Sequence, residues 1–148
     1  MAKALLLASA LLLVPAAAPG QKNPSDLKWG PAPPAFPKGA QMTVLSGDPG
    51  KEGMSTIRLR MPAGYSVGPH HHPTDELVTI VSGQLSLGMG DSVNRAKAKT
   101  LVAGGYAVAP AKMNHYGFTR TGATVQVTFH GPFSMTYVNP KDDPRNRK

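Results

Sequence analysis

The chain has 148 residues, a length that suits one domain, and carries 16 Lys and Arg against 8 Asp and Glu, for a formal net charge of +8. It contains no cysteine, which excludes disulfides, thiolate metal sites and a cysteine-linked lipid anchor. Basic residues are scattered apart from Arg95, Lys97 and Lys99 and the tail residues Lys141, Arg145, Arg147 and Lys148. Few aromatics interleave with them, so the charge reads as a solvated surface and not as a nucleic-acid face.

Met1-Ala2-Lys3 gives a positive start, Ala4 to Val14 is almost wholly apolar, and small residues follow, which is the plan of a secretory signal peptide over residues 1–20. The apolar run is shorter than the roughly 20 residues a membrane-spanning helix needs. The expected product is a periplasmic or secreted protein beginning at Gln21, with no membrane span after cleavage. Residues 21–40 form a proline-rich arm in which Pro24, Pro31, Pro33, Pro34 and Pro37 argue against a regular ladder. Leu27, Trp29 and Phe36 are expected to pin this arm onto the folded domain or onto the neighbouring subunit of a homodimer.

Gln41 to Ser46 reads as a strand and Gly47-Asp48-Pro49-Gly50 as a turn. Ile57, Leu59 and Met61 then alternate with Arg58 and Arg60, the pattern of a half-buried strand. Glu76 to Ser82 and Gln84 to Gly90 read as a hairpin turning at Gly83, with Leu85, Leu87 and Met89 on one face. Asp91 to Thr100 is polar and suits a loop or short helical turn. Lys99 to Val102, Tyr106 to Ala109, His115 to Thr121, Ala123 to His130 and Met135 to Val138 are further short strands, divided by Gly104-Gly105, Pro110, Gly122 and Gly131-Pro132. No stretch sustains a helical period. The pattern predicts an all-β sandwich or barrel over residues 41–138, followed by a lightly docked polar tail over 139–148.

Three of the five histidines lie in Gly64-Tyr-Ser-Val-Gly-Pro-His70-His71-His72-Pro-Thr-Asp-Glu76. On an extended backbone His70 and His72 share a face and His71 points the other way. Glu76 joins the first two if Pro73-Thr74-Asp75 makes a turn between paired strands. Two imidazoles and a carboxylate on one wall suit iron(II), manganese, nickel, zinc or copper. A second cluster, Gly104 to Thr119, contains His115. The last histidine, His130, sits on the polar side of Val125, Val127 and Phe129, either on an outer face or as a partner or general base near the metal. Asp75 reads as a loop residue. Tyr106, Tyr116, Phe118 and Phe133 read as packing residues, and Met42, Met89 and Met135 as fillers of the core.

Together these stretches resemble the cupin superfamily, in particular small single-domain exported bacterial cupins with a conserved cupin-2-like barrel. Gly64, His70, His72, Glu76 and Gly83 meet every term of the first cupin motif: a glycine, five residues, His-x-His, three or four residues, a glutamate, six residues and a glycine. Gly104, Pro110 and His115 match the second motif, in which Lys112 replaces a glycine and Thr119 an asparagine. Asn114 offers a residue tolerant of left-handed backbone beside the altered turn, and Thr119 still offers a hydroxyl near the ligands. The resemblance implies a jelly-roll β-barrel of two packed antiparallel sheets, with His70, His72, Glu76 and His115 binding one divalent transition metal. It further implies a metal-dependent enzyme, dioxygenase-like or isomerase-like, acting on a small organic substrate. The alternative is a non-catalytic periplasmic module that binds metal or a small ligand.

Overall fold

A computed structural model describes residues 20–147; the signal peptide expected over residues 1–20 lies outside them except for Gly20. Ten strands follow in chain order: β1 (Gly30–Pro31), β2 (Gln41–Ser46), β3 (Gly53–Met61), β4 (Ser66–His71) and β5 (Glu76–Met89), then β6 (Lys99–Val102), β7 (Tyr106–Ala109), β8 (His115–Phe118), β9 (Ala123–Gly131) and β10 (Thr136–Tyr137). Every pairing is antiparallel. One face of the barrel comprises β1, β2, β3, β9, the first half of β5, and β7. The other comprises β6, the second half of β5, β8, β4 and β10. This is the two-sheet jelly roll that the cupin resemblance implies. Among the described residues no helix is long and apolar enough to cross a membrane.

The two-residue period is kept most strictly where β3 and β9 pair along their full lengths, from Gly53 opposite Gly131 to Met61 opposite Ala123. Ile57, Leu59, Val125, Val127 and Phe129 are buried on the inner side, while Arg58 bonds Gln126 and Thr56 bonds Thr128 outside. Burying such a side chain contributes about 1.5–3 kcal/mol, so this pair anchors the barrel.

The expected hairpin at Gly83 does not form. β5 is one strand of 14 residues that pairs with β7 and β9 before the bend and with β6 and β8 after it. Gly83 has a φ of 71° and lies so close to the Gly122 carbonyl that a side chain would collide with it. A left-handed glycine here bends the strand from one sheet into the other, where a turn would have folded it back on itself. Similarly, the 73–75 bend does not join paired strands. It carries the chain between sheets, from β4 beside β8 to β5 beside β9.

The proline arm is more ordered than its composition suggests, since Gly30 and Pro31 pair with Met42 and Gln41. Proline is accommodated because β1 is an edge strand. Phe36 is 8% exposed and stacks on Phe133 with ring centroids 5.7 Å apart. The hydroxyls of Tyr65 and Tyr137 donate to the Pro37 and Ala35 carbonyls at 2.7 and 2.8 Å. Trp29 stays partly exposed under the Arg60 guanidinium, 4.1 Å from its ring centroid. Two expected packing residues lie outside the core: Tyr106 is 56% exposed on β7 and Met89 45% exposed at the end of β5.

Candidate metal centre

Three elements converge on one point inside the barrel. β4 delivers His70, the turn after it His72, and the start of β8 His115, which is cross-strand partner to His70. Glu76 enters from the opposite sheet as the first residue of β5. The three imidazoles are buried, and one ring nitrogen from each lies within 4.8 Å of the others. The Glu76 carboxylate places Oε1 3.3 Å from His72 Nε2 and Oε2 3.6 Å from His115 Nε2. The four residues singled out by spacing are therefore brought together.

Backbone carbonyls decide which nitrogen of each ring carries the proton. Nδ1 of His70 lies 2.7 Å from the Gly68 oxygen, Nδ1 of His72 lies 2.6 Å from that of Ser134, and Nδ1 of His115 lies 3.0 Å from that of Met113. A carbonyl only accepts, so each Nδ1 donates, which in a neutral ring leaves Nε2 with its lone pair. His72 Nε2 is fully buried without a hydrogen-bond partner and faces a carboxylate oxygen that is also only an acceptor. Lone pairs opposed across a buried gap, with no proton between them, repel one another, and a cation at that point satisfies them all. The donor set thus fits a divalent metal.

The charge states agree. Burial, reinforced by neighbouring His115, pulls the His70 pKa down to about 3. Burial also lowers that of His72, although Glu76 works against it. At neutral pH His70 and His72 are neutral, as metal ligation requires.

The altered second motif works differently from expectation. Lys112 itself adopts the left-handed conformation, with a φ of 63°, and its N–H donates to the His72 carbonyl at 2.8 Å. Asn114 is not the residue that absorbs the turn. Its side chain bridges His71 Nδ1, at 2.9 Å, and Asp91, at 2.7 Å, away from the ligands. Thr119 accepts from Gly122 N–H at 3.0 Å and so serves a turn, not the site. His130, the candidate base, is exposed on the outer side of β9 beside Met54 and does not line the cavity. Asp75 accepts from Ala111 N–H at 2.7 Å and pins its loop.

The ligands open onto a cavity of about 70 Å³. Its other walls are apolar, including Leu59, Val78, Leu85, Val127 and Met135, with Phe36 of the arm among them. Tyr65 adds a hydroxyl already committed to Pro37. Sequence reasoning missed Phe36 as a cavity residue and Phe133, whose ring lies 5.1 Å from that of His72. It also missed the three orienting carbonyls, for which no side-chain signal exists.

A family model described as "Domain of unknown function (DUF4437)" matches residues 20–136, the arm and nearly the whole barrel. The chain belongs to the DUF4437 family. No curated protein matches this DUF4437 chain. Among solved structures it is similar to the polyketide cyclase RemF from Streptomyces resistomycificus, with a TM-score of 0.70 at 16% identity over 84% of this chain and 88% of that one. It is also similar to a putative acetylacetone dioxygenase from Methylibium petroleiphilum PM1, with a TM-score of 0.63 at 22% identity over 97% and 90%. A third similar structure is an RmlC-like cupin from Shewanella frigidimarina, with a TM-score of 0.59 at 16% identity over 74% and 87%. At these identities the likeness establishes a cupin fold for the DUF4437 chain.

Proposed function

We propose that this protein is a metal-dependent cupin enzyme of the periplasm, with dioxygenase-type chemistry on a small organic substrate ahead of isomerase-type chemistry. His70, His72, Glu76 and His115 would hold one divalent transition metal. The observation that carries the reading is the buried, partnerless Nε2 of His72 facing the Glu76 carboxylate. When bound, such an ion supplies Lewis acidity and, if redox-active, a place for oxygen activation. The likeness to the putative acetylacetone dioxygenase supports the order of preference and no more.

The chain's own residues narrow the substrate. No lysine or arginine lines the cavity, and the Tyr65 hydroxyl is already used, so a carboxylate or sugar would enter without side-chain partners. The favoured ligand has an apolar body and one polar end directed at the four ligand residues. Glu76 is the one carboxylate in the cavity lining, which makes its oxygens the place for a substrate proton to go.

The test uses protein recovered from the periplasm, beginning at Gln21. Metal content is measured, and oxygen uptake is screened with phenols and diketones under iron and manganese loading. Turnover that disappears in His72→Ala supports the enzyme; no turnover with any metal, and no effect of that substitution, refutes it. The narrowness of the cavity favours a second reading, a non-catalytic module for the metal itself or a very small ligand. Tight, stoichiometric metal binding with no turnover is its signature.

A further inference from the structure

The polar tail, expected to dock only lightly, folds back beside Gly68 and next to Ser134, the two residues whose carbonyls orient His70 and His72. β10 pairs with β4, setting Thr136 opposite His71 and Tyr137 opposite His70, and Val138 N–H donates to the Pro69 carbonyl at 2.9 Å. The carbonyl of Ser134, next but one before β10, accepts from His72 Nδ1. Beyond β10 the chain makes a turn and a short 3-10 helix (Pro144–Asn146) that brings Arg145 back to the start of this segment. Arg145 Nη2 donates to the Met135 carbonyl at 2.9 Å. The guanidinium is held there by Asp143, with Nε to Oδ1 at 2.8 Å and Nη2 to Oδ2 at 2.7 Å. Asp142 packs on Gly68 so closely that a β-carbon there would lie 3.3 Å from the Asp142 β-carbon, and Gly68 supplies the carbonyl for His70 Nδ1.

From this geometry we propose that the C-terminal tail is a positioning element of the histidine cluster, with Arg145 as its latch. The Ser134 and Met135 peptides adjoin, so a guanidinium fixing the Met135 oxygen also limits rotation of the peptide that holds the His72 ring. The guanidinium grips Asp143 through Nε and Nη2 while Nη2 also donates to the Met135 carbonyl, and a single ammonium cannot reproduce that fixed arrangement, so lysine should not substitute fully. The proposal concerns the orientation of the imidazoles. Only its effect on metal affinity rests on the metal reading above.

The test compares Arg145→Ala, Arg145→Lys and Arg147→Ala in the full chain, Arg147 making only a 3.4 Å contact with the Lys141 carbonyl. The first readout is long-range proton–nitrogen NMR of the metal-free protein. The His72 Nδ1 proton, slow to exchange in the parent and in Arg147→Ala, is expected to exchange rapidly in Arg145→Ala and at an intermediate rate in Arg145→Lys. The second readout is the manganese or cobalt dissociation constant by calorimetry well below the melting temperature. It is expected to weaken about 10-fold in Arg145→Ala, the scale on which groups orienting metal-bound histidines act. A merely structural tail would lower the melting temperature and leave both readouts unmoved. That result overturns the proposal, as does equal weakening by Arg147→Ala. Should Arg145→Ala not fold, Arg145→Lys decides by the same two readouts. If the parent binds none of these metals, the metal reading fails and the NMR comparison alone decides on the latch.

Discussion

Replacing Phe36 by alanine probes whether the proline arm is part of the barrel or an accessory to it. The ring is almost fully buried, stacks on Phe133 and forms a wall of the cavity. Removing a buried phenylalanine costs about 3–5 kcal/mol, and the site has limited means of collapse because Tyr65 and Tyr137 still tie the flanking Pro37 and Ala35 carbonyls in place. The lower end, about 3 kcal/mol, is the expected loss. For a domain of this size it corresponds to a fall in melting temperature on the order of 10 °C. Urea denaturation gives the free energy, and the change in midpoint should come at a nearly constant slope. Because the ring is buried within one chain, the loss should not depend on protein concentration. A loss below about 1 kcal/mol would refute the reasoning, since it would mean that the ring gains little from its place in the core. A loss that grows on dilution would place the arm on a second subunit instead.

Glu76→Gln should abolish tight metal binding in calorimetry and yet raise the melting temperature of the metal-free protein, because the amide donates toward the Nε2 lone pairs that the carboxylate opposes; metal bound as tightly as before would contradict the ligand assignment. Lys112→Gly should stabilise by up to about 1 kcal/mol by relieving a left-handed non-glycine residue, whereas Lys112→Val should destabilise, both measured by urea denaturation. Burial, with the nearby Asp143 charge, raises the Tyr137 pKa from 10.0 to about 12. Between these values the unfolded phenol has lost its proton and the native one has kept it, so stability should fall as pH rises through that window. Tyr137→Phe should flatten the alkaline limb, and an unchanged profile would show that the phenol does not carry it.

The cluster of candidate ligands was legible because metal chemistry restricts residue type and strand geometry restricts spacing. His70, His72, Glu76 and His115 announce themselves in both ways. The paired alternation of Ile57, Leu59 and Met61 with Val125, Val127 and Phe129 was legible for the same reason, one face being buried along the whole length of each strand. What could not be read was anything decided by a partner distant in sequence. A glycine between two apolar runs suits a turn or a bend equally, and it is the approach of Gly122 that makes Gly83 a bend. Polar residues such as Asp142, Asp143 and Arg145 read as a solvated tail until the carbonyl they reach is known. His130 occupies a polar position in an alternating strand, and only the curl of the sheet decides which side of that strand faces the cavity.

The continuous course of β5 has a mechanical consequence. Its first residue is Glu76, and its last, Met89, is the cross-strand partner of His115. The carboxylate and an imidazole thus stand near opposite ends of a single curled ribbon, 3.6 Å apart at their tips. The strand behaves like a spring caliper whose jaws are Glu76 and His115, with Gly83 as the bow. Its curvature sets the gap between the jaws, and a change at the bow, well away from them, would recalibrate the instrument.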